Sequence, residues 1–128
     1  MSTGKILVVD DNVDAAITTG ALLKAWGHEV VTVFSGDAAL EEALKFHPEL
    51  VLLDIGMPGM SGYELARVLR SNPVTSDAVL AAVTGYGQES DRQRSFETGF
   101  DYHFVKPLDA SLLAAMLASP QRRTEQSP

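Results

Sequence analysis

The stretch that decides the fold is VLLDIGMPGMSGYEL, residues 51–65. The apolar run Leu50–Leu53 leads straight into a carboxylate, Asp54, and Gly56, Pro58, Gly59 and Gly62 then turn the chain. A run without a polar face suits a strand covered on both sides, as in a parallel sheet. The acid at its end has three readings: a helix cap, a metal ligand, or a group that does chemistry.

Two further runs share this character, Ile6–Val9 and Val79–Val83. EVVTV (29–33) and YHFV (102–105) alternate instead and read as strands nearer the sheet edges. Helical patterns fall between them. Val13, Ala16, Ile17 and Leu23 mark 13–26, with Gly27 as the stop. Ala39, Leu40, Ala43 and Leu44 mark 37–46; Leu65, Val68 and Leu69 mark 62–71; Leu112, Leu113, Met116 and Leu117 mark 109–118. In 89–98 Phe96 is the one large apolar residue, and the helix is read from its length and from Gly99. Strand and helix alternate throughout, which implies parallel strands, right-handed crossovers and a three-layer α/β sandwich. The domain spans residues 1–118, and the polar stretch 119–128 reads as a disordered tail.

Composition narrows the function. A chain of 128 residues with 45% hydrophobic and 21% charged side chains fits one globular domain. It has no cysteine, which excludes a disulfide framework, a thiolate zinc site and cysteine catalysis. A net charge of −7 argues against direct nonspecific binding to nucleic acid or anionic membranes. No stretch approaches the roughly eighteen apolar residues of a membrane span. MSTGKILVVDD begins a strand and not a signal peptide, so a cytoplasmic location is expected.

The polar residues at the strand ends carry the chemistry. Strand one ends in Asp10 and Asp11, strand three in Asp54, strand four in Thr84, and strand five in Lys106 and Pro107. In a parallel sheet these ends share one rim, where open α/β sheets bind ligands. Each residue also has a plain reading. Asp11 or Asn12 can cap the first helix, Thr84 can open a turn, and Lys106 can be a solvated lysine. Taken together the plain readings do badly, because caps need not fall at four strand ends with complementary chemistry. Three close carboxylates repel, and a hard cation with oxygen ligands compensates. Mg²⁺ suits a site with few protein ligands, since it keeps waters and takes phosphate oxygens. An aspartate can be a nucleophile toward phosphorus, and phosphoryl transfer needs little beyond positioning and charge neutralisation.

ILVVDDNVD, VLLDIGMPGMSGYEL, AAVTGYG and FVKPLD, taken in order, resemble the receiver domain of two-component response regulators, from about Lys5 to Leu117. The resemblance implies a flavodoxin-like five-stranded doubly wound sheet of order 2-1-3-4-5. It implies Asp54 as phospho-acceptor, Asp10 and Asp11 as the acid pair for Mg²⁺, and the Gly56 backbone carbonyl as a further ligand. Thr84 matches the hydroxyl that moves toward the phosphoryl group, and Lys106 matches the lysine that pairs with acceptor and phosphate. A cis peptide at Lys106–Pro107 is also implied. The position often held by a switch Tyr or Phe is His103 here, read either as a switch residue or as a solvated edge histidine. Tyr102 and Phe104 should point to the opposite face. Gly56 and Tyr86 match positions that influence phosphoryl lifetime.

The implied partner is a histidine kinase or a histidine phosphotransfer protein. The wording of TGYGQ and GFDYHFVKP is nearer to receivers of hybrid sensor kinases. The face of the fourth helix, fifth strand and fifth helix is where such domains pair or meet targets. Asp91, Arg92, Arg94 and Glu97 there suit reversible contacts or simply a solvated helix. The expected role is a signalling domain and not an enzyme beyond its own phosphorylation and slow dephosphorylation. An aspartate-nucleophile phosphohydrolase is disfavoured, because Gly56 stands where its second acid would be. A nucleotide-binding domain is disfavoured by the anionic DDNVD after strand one. A degenerate receiver acting by protein contact alone would not need all five site residues.

Overall fold

The chain's structure is a computed structural model that describes residues 4–85 and 89–122, for 89–91 the backbone alone. Five strands and five helices alternate: β1 Lys5–Val9, α1 Val13–Ala25, β2 Glu29–Val33, α2 Gly36–Phe46, β3 Leu50–Asp54, α3 Gly62–Ser71, β4 Val79–Thr84, α4 Glu89–Glu97, β5 Tyr102–Val105 and α5 Ala110–Ala118. The strands form one parallel sheet of order β2-β1-β3-β4-β5. The apolar runs β3 and β4 are buried at every residue, while the alternating strands β2 and β5 form the two edges.

Strand alternation splits the core in two. Leu7, Val9, Val51, Leu53, Leu80 and Ala82 face α2 and α3. Ile6, Val8, Leu52, Ala81 and Val83 face the other way, against Ala16 and Leu23 of α1 and Leu113 and Met116 of α5. The helices bury narrower stripes than their patterns predict. Val13, Ile17, Leu44, Val68 and Leu112 are all exposed, at 40–58% of their surface. Small residues take their place. Gly20 in α1 sits so near β2 that a β-carbon there would meet Thr32 at 2.8 Å. Close approach through Ala and Gly leaves the longer neighbouring side chains on the rim of the contact.

Caps fix where the helices begin. Asn12 accepts from the Ala15 N–H and Ser35 from the Ala38 N–H. Ser61 and Glu64 form a reciprocal capping box on α3, and Asp109 caps α5. Asn12 is therefore the cap of α1, which leaves Asp10 and Asp11 out of that role.

At the opposite end of the sheet, Arg70 ties α3 to the connections that precede β4 and β5. Its guanidinium donates to the carbonyls of Gly99, Ser76 and Ala78 and pairs with the Asp101 carboxylate at 2.7 Å. Burial holds the Arg70 pKa below its usual range, against the pull of Asp101. Gly99, at φ +109°, leaves room for this side chain; a β-carbon would meet Arg70 Cγ at 2.9 Å. After α5 the chain at Gln121 and Arg122 lies against the domain. The Gln121 N–H donates to the Tyr102 hydroxyl, and Arg122 pairs with Asp101 at 3.2 Å and donates to the Ser76 carbonyl. Residues 123–128 lie outside the described part.

Candidate functional site

Each site residue is delivered by a strand end. β1 stops at Val9 and hands over Asp10, whose Oδ1 accepts from the Asn12 N–H at 2.9 Å. β3 delivers Asp54 as its last residue. Its Oδ1 accepts from the Gly56 N–H at 3.1 Å, closing a tight turn at the end of β3. Asp10 and Asp54 are nearly buried, at 9% and 7% exposure, while Asp11 lies open. One ligand oxygen from each of Asp10, Asp11 and Asp54 falls within 4.8 Å of the others. Lys106 Nζ reaches 3.4 Å from Asp54 Oδ2 and 3.7 Å from Asp10 Oδ2.

Thr84 is the buried last residue of β4, and its carbonyl accepts from the Lys106 N–H at 2.8 Å. That bond places Lys106 beside the end of β4. The Lys106–Pro107 peptide is cis, as the resemblance implied. A cleft of about 500 Å³ opens beside the carboxylates, walled by Ala15, Thr18 and Thr19 of α1 and by Lys106, Pro107 and Leu108.

The electrostatics follow from burial and crowding. Burial pushes the Asp54 pKa above its ordinary value. The Gly56 N–H pulls it back, Asp10 pushes it up again, and Lys106 lowers it. Among the described residues the Lys106 ammonium pairs with Asp54 and Asp10 of the three clustered carboxylates, so the rim is short of positive charge. The donor set suits a hard divalent cation: carboxylate oxygens, one of them open to solvent, with room for waters. Receiver domains, which the sequence resembles, bind Mg²⁺ through acidic residues of this kind.

The loop after Asp54 uses its glycines differently. Gly59 has φ +80° with open space beside it, so it is needed for conformation. Gly62 is needed for space, because a β-carbon there would fall 2.6 Å from the Ile55 Cα. Its N–H donates to the Ile55 carbonyl at 3.1 Å, which brings the start of α3 against the end of β3.

His103 is not a solvated edge side chain. It is buried at 8% exposure, and its Nδ1 lies 2.9 Å from Ser95 Oγ of α4. Tyr102 and Phe104 do point the other way, where their rings stack 6.4 Å apart. The composition of α4 gave no hint of Ser95, because a serine in a polar helix looks solvent-facing. The signal was its spacing to Thr98, since both turn inward. Arg94 lies over the Tyr63 ring at 4.0 Å and links α4 to α3. Tyr86 and the Asp91 side chain lie outside the described residues.

Comparison with known proteins agrees with this geometry. The family model for the response regulator receiver domain matches residues 6–118. The chain is 39% identical over 124 residues to the phosphate regulon transcriptional regulatory protein PhoB of Rhizobium meliloti, covering 94% of this chain and 53% of that protein. It is 34% identical over 120 residues to the response regulator PleD of Caulobacter vibrioides, covering 94% of this chain and 26% of that one. The chain thus spans about half or less of these relatives. Among solved structures, the chemotaxis protein CheY4 of Vibrio cholerae superposes with a TM-score of 0.86 at 26% identity, over 91% of this chain and 98% of that one. Motif order, strand order and family match converge: the chain belongs to the receiver domains of two-component response regulators.

Proposed function

We propose that Asp54 accepts a phosphoryl group from the phosphohistidine of a histidine kinase or phosphotransfer protein. The observation that carries this is the meeting of Asp10, Asp11 and Asp54 within 4.8 Å, with the Lys106 ammonium 3.4 Å from the acceptor. An Asp54 oxygen forms the new bond to phosphorus. The bond from phosphorus to the donor's imidazole nitrogen breaks, and that nitrogen keeps the electron pair. Asp10, Asp11, Asp54 and the Gly56 carbonyl would hold Mg²⁺, which supplies neutralisation of the phosphoryl oxygens. Lys106 offsets the remaining negative charge, and Thr84 offers a hydroxyl to a phosphoryl oxygen. Thr84 and His103 then carry the change toward α4 and β5.

The domain turns over no separate substrate; its own phosphorylation and slow dephosphorylation are its chemistry. We assign it to the cytoplasm, either alone or within a longer regulator or hybrid kinase, with the α4–β5–α5 face available for pairing. Among the described residues no helix is long and apolar enough to cross a membrane.

The test is intact mass after incubation with Mg²⁺ and acetyl phosphate. One phosphoryl group is expected on the wild type, none on Asp54→Ala, and none after Mg²⁺ is removed. A wild type that takes up neither the phosphoryl group nor Mg²⁺-beryllofluoride would leave a module acting by protein contact.

A further inference from the structure

The packing of α4 departs from that of the other helices. α1, α2, α3 and α5 each rest on the sheet through buried Ala, Leu, Met or Tyr side chains. α4 has no such wedge among its described residues. The side chain it buries completely is Ser95, at 0% exposure, while Phe96 is only partly covered. Ser95 Oγ meets His103 Nδ1 of β5 at 2.9 Å in a buried setting. Nearby, the Thr98 hydroxyl bonds back to the carbonyls of Arg94 and Ser95, so it closes its own helix end and does not reach the strand.

His103 in turn stands close to the candidate site. It pairs with Ala82 across β4, and Thr84 pairs with Val105 two residues further along. Side chains two apart on a strand share a face, so Thr84 and His103 lie diagonally on the α4 side of the sheet. The backbone then joins β5 to the lysine, three residues on, at 3.4 Å from Asp54.

We propose that Ser95 is a positioning residue of the switch: through its buried hydrogen bond to His103 it sets where α4 lies on β5. A hydrogen bond has a preferred direction and length, whereas the hydrophobic term is non-directional. Ser95 therefore holds α4 in one register. A displacement of α4 must either break this bond or carry the His103 ring with it. This deepens the role of Asp54 given above and rests on that reading for its link to phosphorylation.

Two measurements on the full chain test it. In the first, amide exchange is followed in Ser95→Ala, a substitution that removes one oxygen and adds no bulk. Exchange at α4 amides should rise about tenfold or more, with β1 and β3 unchanged. Unchanged α4 exchange overturns the positioning role. In the second, the affinity for Mg²⁺-beryllofluoride is compared in wild type, Ser95→Ala, His103→Leu and the double variant. Each single variant should differ from wild type by threefold or more, and the double variant should match the singles instead of multiplying them. Affinities within twofold of wild type, or effects that multiply, overturn the coupling to Asp54. A wild type that binds no beryllofluoride removes the phospho-acceptor reading and the coupling with it, while α4 exchange still decides whether Ser95 positions the helix.

Discussion

Burial and the neighbouring Asp10 both oppose a charge on Asp54. Its folded pKa is raised, chiefly by burial and then by Asp10. An acid whose folded pKa is raised weakens the fold once pH passes its unfolded value, and the loss is complete above the folded value. Asp54→Asn removes that charge. We expect the variant to be more stable at neutral pH by about 1 kcal/mol, the scale of one close like-charge contact near water. The gain should shrink as pH falls through the raised folded pKa and vanish below the unfolded one, near 4. Urea midpoints at several pH values would check this; a gain that persists at low pH would refute it. The glycines of the same loop give a second contrast at this scale. Gly59→Asn should cost little, because Asn tolerates positive φ and nothing crowds that position. Gly62→Asn should cost about 1–3 kcal/mol, because its side chain meets the Ile55 backbone. Thermal melts of the two variants would separate freedom from space.

At the scale of elements, much was legible beforehand. The continuous runs in β3 and β4 and the alternation in β2 and β5 distinguished central strands from edges, because a central strand has no wet face. Asp10, Asp11, Asp54, Thr84 and Lys106 could be read as one group because a parallel sheet sends all its carboxyl ends to one side. Two things stayed hidden. Periodicity marks an apolar stripe but not its depth, so Val13 and Ile17 read as core and are exposed. Polar pairs that satisfy each other in the interior leave no mark in the apolar pattern, as with Ser95 and His103 or Arg70 and Asp101. Arg70 is the stronger case. Arg70→Ala should destabilise the fold by about 3–5 kcal/mol, since the Asp101 side chain, at 1% exposure, would lose its principal partner. Denaturant unfolding would measure it; a loss under about 1 kcal/mol would show that Arg122 takes over the role.

For the whole molecule, the charge distribution predicts linkage. The net charge is −7, and among the described residues Lys106 is the ammonium beside the rim carboxylates Asp10 and Asp54. A divalent cation that binds there and not to the unfolded chain must stabilise the fold. At a hundred times its dissociation constant the gain is about 2.7 kcal/mol. Mg²⁺ should therefore raise the melting temperature, a chelator should reverse it, and Asp11→Asn should blunt it. A melting temperature indifferent to Mg²⁺ would contradict the assigned ligand set.

The Arg70 knot has a mechanical consequence. It grips β5 at Asp101, while Lys106, past the strand's other end, reaches into the acid cluster. β5, paired to β4 along its length, is thus anchored at its root and loaded at its tip. His103 stands between the two, where its ring would follow any bending of the strand.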